Sequence, residues 1–389
     1  MLERERWTIT VFVIVIIGAI AGQTRGALLP KFQESFGISD GLLGLVAPAS
    51  SVGFVSTVLL IGFLTGHLSI KRYLLTGTIG VGIALLLMGI APSYELFLSS
   101  LFLMGISNGV IRAFDRPILS HLYPERRGLI FNVYSAVWAI GAFSGPLLVN
   151  AAIEYGNWRF TYLLLGVAFL PLIILLMRFN PPSDFNNEST ISLDAASQLI
   201  RRLPIAGMTA GMVLLGGIEG TLFFWLPYYA SSYFQQDTAN ILLSTFLLAY
   251  FPGRMAYGIL IDHLGELGLL FVGCICSLPL LYITFLRPQP AIMFASVFGL
   301  GILISGLYPT FSALGVEIAP EYSGPVNALS TAAMSIGIAI VPVIVGVITG
   351  LYSIQISMWL LPAQFLLLLI VLIVLLVARS HSATGIFSQ

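Results

Sequence analysis

Residues 253–265 read Gly253-Arg254-Met255-Ala256-Tyr257-Gly258-Ile259-Leu260-Ile261-Asp262-His263-Leu264-Gly265, and a looser copy stands 196 residues earlier as Gly62-Phe63-Leu64-Thr65-Gly66-His67-Leu68-Ser69. Gly62/Gly258, Leu64/Leu260 and His67/His263 fall on that step. Working outward, so do Gly105/Gly301, Pro124/Pro320, Glu125/Glu321, Gly128/Gly324, Gly141/Gly337 and Pro146/Pro342. The step needs no gap between its first pair and its last. A constant period over such a length marks one structural unit written twice in tandem.

Composition says what solvent that unit meets. Of the 389 residues, 58% are hydrophobic and 9% charged, where a soluble domain carries about 25% charged residues. Lipid is therefore the main solvent. A formal net charge of zero argues against nucleic-acid partners. Cys274 and Cys276 sit two apart in one apolar run, on different helix faces, and suit neither a disulfide framework nor a zinc site. Lys31 and Lys71 are the two lysines, and neither follows a glycine-rich phosphate loop, so the chain carries no nucleotide-driven engine. His67, His121, His263 and His381 all lie at or beyond the ends of apolar runs and make no metal-ligand cluster. No metal, no cofactor and no enzymatic chemistry is expected.

A membrane span takes about 20 mostly apolar residues. Runs of this kind occupy 8–30, 42–66, 72–91, 95–119, 129–152 and 159–178, then 205–230, 239–261, 267–286, 291–315, 325–350 and 357–378. The expected fold is an all-α membrane protein with twelve transmembrane helices in two pseudo-symmetric six-helix bundles. Residues 1–178 form the first bundle and 205–389 the second, with a short tail. Between them, 179–204 holds Asn-Pro-Pro, several Asn and Ser residues and Arg201-Arg202, and reads as a linker. The charged start, Met1 to Trp7, also fits a cleaved signal peptide, but the repeat needs this segment as its first helix.

Basic residues give the orientation. With the N-terminus inside, Arg4, Arg6, Lys71, Arg72, Arg126, Arg127, Arg178, Arg201, Arg202 and Arg379 are cytoplasmic, and only Lys31, Arg159 and Arg287 face outward. The expectation is a multi-pass protein of the cell (plasma) membrane with both termini cytoplasmic.

The repeated blocks resemble the major facilitator superfamily along nearly the whole chain. Gly258-x-Leu260-x-Asp262-His263-x-Gly265 is similar to that family's signature loop, with histidine in the arginine place; in the first half Gly66 replaces the aspartate. Pro124-Glu125-Arg126-Arg127-Gly128 and Pro320-Glu321-Tyr322-Ser323-Gly324 look like the family's cytoplasmic proline–glutamate motifs. The resemblance implies a cytoplasmic gate at Gly258, Asp262, Glu125, Arg126, Glu321 and Arg254. A carboxylate after span 8 is suited to face the positive end of a helix, although Asp262 capping a tight turn is the plainer alternative. At subgroup level, Gly217-Ile-Glu219-Gly220 through Trp225-Leu-Pro227-Tyr228-Tyr229, and Gly306-Leu-Tyr308-Pro309, look like fucose-permease-like sugar transporters. Gln23 and Arg25 stand in the first span where those permeases carry an acid.

An ionisable side chain at mid-bilayer costs about 2.5–3.5 kcal/mol on insertion scales, so each one is a functional candidate. Glu219 lies near the middle of span 7, and its repeat partner in span 1 is Gln23. A carboxyl in apolar surroundings is disfavoured as an anion, which suits a group that takes up and releases protons; a helix–helix hydrogen bond is the alternative. Arg25 lies about 10 Å outward of the middle of span 1. Binding a substrate carboxylate, neutralising Glu219 and snorkelling outward are equally open for it. Arg112, Asp115 and Arg116 sit at spacings of three and four in span 4, so an Arg–Asp pair on one face is natural. Asp115 is the second candidate for proton coupling, with a structural pair as its alternative. Trp138, Asn108, Tyr308 and Asn327 complete the candidate substrate contacts. Trp225, Tyr228 and Tyr229 read as interface anchors or cavity rim. Gly141, Gly145, Gly337 and Gly346, with Pro146 and Pro342, permit close helix approach, for bending or for static packing.

The combined expectation is a secondary active transporter working by alternating access of its two halves. Proton-coupled uptake of a sugar-like solute comes first. Organic anion transport, export of lipophilic compounds and a transporter-like receptor without flux are the alternatives. Partners are a small-molecule substrate, protons and the bilayer, with a monomer as the working unit.

Overall fold

In the computed structural model of the chain, residues 3–64, 70–178, 201–286, 289–319 and 322–385 are described. The regular elements among them are all helices. Six long ones come first: α1 (Glu3–Ala27), α2 (Val46–Leu64), α3 (Ile70–Ile90), α4 (Tyr94–Leu122), α5 (Arg127–Glu154) and α6 (Arg159–Arg178). The second series opens with α7 (Leu203–Ser231). Gln236–Leu286 then forms a single apolar stretch of 51 residues. At about 1.5 Å per residue it is far longer than a hydrocarbon core of about 30 Å. Gly265, at φ 65 and ψ 172, breaks it, so 236–264 is α8 and 266–286 is α9. That backbone region is open essentially to glycine alone, which explains the last glycine of the 253–265 stretch. α10 (Pro290–Ile318) bends at Gly306, and α11 (Ser323–Leu351) and α12 (Leu360–Gly385) complete twelve spans among the described residues. The first signature loop, 65–69, and most of the expected linker, 179–200, lie outside the described residues.

The outer surface fits lipid. Leu60, Ile90, Leu129, Phe160, Val167, Ile259 and Ile370 are all exposed, far more apolar surface than a water-soluble protein shows.

Contacts divide the chain into two compact units: residues up to 178 together with 234–244, and 201–233 together with the chain from 245 onward. The first bundle therefore holds one segment that the sequence reading gives to the second. The cause is polar. Within that unit Asn150 Nδ2 donates to Asp237 O at 3.0 Å, and Asn240 Nδ2 donates to Asn150 Oδ1 at 2.7 Å. Gln236 Nε2 donates to Ala27 O at 3.2 Å, and Ser244 Oγ to Phe143 O at 2.9 Å.

Inside the first unit α1 packs on α5, α2 on α4, and α3 on both α4 and α6; inside the second, α7 packs on α11 and α12, and α8 and α9 on α10. The 196-residue step is visible atom by atom. A Cβ added to Gly105 would overlap Ser50 O, and one added to Gly301 would overlap Phe246 O. Ser50 and Phe246 are themselves 196 apart. Each unit thus contains the same backbone crossing, α2 on α4 or α8 on α10, and glycine is the residue that permits it.

Candidate functional site in the spans

In the second unit the polar residues converge. Glu219, on α7, is 6% exposed, and Tyr250 and Arg254 of α8 are the groups that act on its carboxyl. The Arg254 guanidinium lies 5.5 Å from the centre of the Tyr250 ring, and its Nε donates to Ser305 O, beside the α10 bend, at 3.4 Å. Tyr308, one turn on, is a further charge neighbour of Arg254, and its hydroxyl is 3.1 Å from Thr331 Oγ1 on α11. Ser312 Oγ donates to Asn327 Oδ1 at 2.6 Å. Four helices therefore contribute to one polar cluster around a buried carboxyl, which a bundle tolerates only when such groups meet each other.

Arg254 is the principal difference from the sequence reading. Assigned there to the gate, it sits with Glu219. Tyr250 was not picked out at all, although its i, i+4 spacing to Arg254 places both on one helix face. Trp225 is fully buried and donates to Pro342 O at 3.0 Å. It packs α7 on α11 and is not a rim residue. Gln364, on α12, is 6% exposed and abuts Gly217, and its Oε1 has no hydrogen-bond partner among the described residues.

The first unit holds two separate groups. Gln23 is 6% exposed, and its Oε1 has no hydrogen-bond partner among the described residues. Arg25, half-buried, donates from Nη1 to the Ser50 hydroxyl of α2 and from Nε to Gly22 O at 3.1 Å. Lower on α4, Arg112 Nη1 is 3.2 Å from Asp115 Oδ2, the pair that the spacing suggests. Tyr134 of α5 joins it, donating to Asp115 and accepting from Arg112. Arg116 lies over the Tyr134 ring at 5.4 Å. Asn108 and Trp138 are half-buried on α4 and α5. Of the gate candidates, Gly258, Asp262, Glu125 and Arg126 are exposed at helix ends, and Glu321 lies outside the described residues.

The pattern of the Major Facilitator Superfamily matches residues 11–237 and, a second time, 232–388. The chain belongs to that superfamily. The two matches cover nearly all of it, one for each half of the 196-residue repeat. Among relatives, a TsgA homolog of Edwardsiella ictaluri is 22% identical over 327 residues, 81% of this chain and 80% of that protein. The glucose/mannose transporter GlcP of Bacillus subtilis is 22% identical over 338 residues, 83% of each. Among solved structures, a bacterial homolog of the human lysosomal transporter Spinster superposes with a TM-score of 0.82 at 14% identity, covering 98% of this chain and 97% of the other. The E. coli fucose:proton symporter FucP gives 0.65 at 19%, covering 94% and 97%. At these identities the solved structures speak for the fold alone. As a superfamily member the chain is a multi-pass membrane transporter of small molecules, not an enzyme.

Proposed function

We propose that this transporter takes up a sugar-like solute across the plasma membrane by alternating access, with Glu219 as the group that carries the coupling proton. The observation that carries the reading is a buried carboxyl, 6% exposed, with Arg254 and Tyr250 of α8 as the groups that act on it. Such a group is costly in lipid and worth keeping only for a task. GlcP, a glucose/mannose transporter, supports the solute class. In this reading Gln23 offers an unpartnered buried oxygen to a solute hydroxyl, and Arg25, Asn108, Trp138 and Asn327 supply further contacts. Asp115 is a second proton-bearing candidate. Gly258, Asp262, Glu125, Arg126 and Glu321 belong to the cytoplasmic gate, the termini are cytoplasmic, and the working unit is a monomer.

One observation favours organic anions instead. Two guanidinium groups, Arg112 and Arg116, lie against the Tyr134 ring, a pairing of cations suited to an anionic solute. A thermal-shift screen of purified protein with sugars, carboxylates and amino acids at several pH values separates the two. Sugars raise the melting temperature by several degrees, as saturating ligand does by mass action, and carboxylates do not. Stabilisation by carboxylates alone overturns the sugar reading.

A further inference from the structure

α10 is broken where its copy in the first bundle is not. Its halves, Pro290–Ser305 and Leu307–Ile318, meet at Gly306, whereas α4 runs as one helix from Tyr94 to Leu122. Pro309 lies in the first turn of the second half, where a helix tolerates proline. It offers no N–H to Ser305 O, four residues back. That carbonyl accepts instead from Arg254 Nε at 3.4 Å, and Leu303 O accepts from the Tyr257 hydroxyl at 2.6 Å. Carbonyls on the near side of the break are thus met by side chains of α8. The Tyr257 ring lies on the break itself. A Cβ added to Gly306 would overlap that ring, and one added to Gly273 of α9 would overlap its hydroxyl. Two glycines, one on each neighbouring helix, make the slot that the tyrosine fills. On the 196-residue step Tyr257, Gly306 and Pro309 correspond to Ile61, Val110 and Ala113. The first bundle forms the same crossing without a wedge, so packing alone does not call for one. Just beyond the break, the Tyr308 hydroxyl is 3.1 Å from Thr331 Oγ1 on α11.

We infer that Tyr257 is a positioning residue of the second bundle: lodged between Gly273 and Gly306, it holds α10 bent and so sets Tyr308 against Thr331. The ring keeps the two halves of α10 from closing at Gly306, and its hydroxyl caps the end of the first half. With the ring gone, nothing fixes the angle between the halves, and the second half carries Tyr308 out of register with α11. The bearing of this on transport rests on Tyr308 being one of the solute contacts expected from the sequence; the placement of Tyr308 does not.

The test is thermal unfolding of the full-length protein in detergent, with Y308F and T331V made singly and together. In the wild-type background the double variant falls short of the sum of the two single shifts by about 2 °C, because both remove the same hydrogen bond. T331V also loses its bond to Asn327 O, but that loss is common to every background and drops out of the comparison. In the Y257L background the shared bond is already gone, and the two shifts add. Y257F keeps the ring in its slot and keeps the shortfall. A ring that only fills space lowers the melting temperature on removal yet leaves the shortfall at its wild-type size in Y257L, and that result overturns the inference. So does additivity in the wild-type background, since there is then no bond for the wedge to set. Where Y257L does not fold, Y257I/G306V/P309A replaces it, installing the residues with which the first bundle folds. The shifts add there as well, and a persistent shortfall overturns the inference. No solute enters the measurement, so a failure of the sugar reading leaves its outcome unchanged.

Discussion

Glu219→Gln abolishes pH-driven accumulation of solute in proteoliposomes while exchange of labelled for unlabelled solute continues. Glutamine keeps the size of the side chain and its capacity to hydrogen-bond, but it cannot take up a proton. One charge moving through 100 mV is worth about 2.3 kcal/mol, or roughly fifty-fold accumulation. Without proton uptake that factor falls to one, because the carrier then only equilibrates its solute. Exchange survives because it needs the solute site and the alternation, not net proton movement. The substitution leaves Arg254 without its acid. The carbonyl of Ser305 and the neighbouring Tyr308 remain as partners, which keeps the variant foldable with some loss of stability. Accumulation at the wild-type level by E219Q removes Glu219 from the mechanism.

Gly301→Leu yields no folded protein, and Gly105→Leu does the same to the other bundle. A side chain at 301 meets Phe246 O and, at 2.7 Å, the Cβ of Ala249; one at 105 meets the carbonyl group of Ser50. These obstacles are backbone or backbone-fixed atoms, so relief requires parting α8 from α10, or α2 from α4. Overpacking that side chains can absorb costs about 1–3 kcal/mol; here the crossing itself is lost. Gly18→Leu on α1 is the control, since nothing lies within 4 Å of a Cβ there, and it folds. Size-exclusion chromatography in detergent reads the difference. A monodisperse G301L protein with wild-type melting behaviour contradicts the packing described here.

Much of this architecture was legible in the residues alone. The 196-residue step identified the duplication, and the same step carries the Gly105–Ser50 contact onto the Gly301–Phe246 contact in the folded bundles. Apolar runs located twelve spans, and Gly265 marked the turn after α8. The Arg112–Asp115 pair followed from i, i+3 spacing. What stayed hidden depends on how each helix is rotated about its axis. In water a helix shows its buried face by a polar opposite face, but a span is apolar all round, so nothing in the run 236–264 says that Arg254 meets Ser305 O at the α10 bend. Ser50 as the partner of Arg25, and Tyr134 as that of Asp115, are contacts between helices with no local pattern to announce them. The grouping of 234–244 with the first bundle is hidden for the same reason: Asn150 and Asn240 become a hydrogen-bonded pair only once their helices are placed.

The most direct measurement is of proton movement itself. Purified protein is reconstituted in vesicles that enclose a pH-sensitive dye, and the sugar that stabilises it in the thermal-shift screen is added outside with no imposed gradient. Wild type acidifies the lumen as sugar enters, and E219Q takes in the same sugar down its gradient with no change in pH. Sugar entry through wild type without acidification would contradict proton coupling at Glu219.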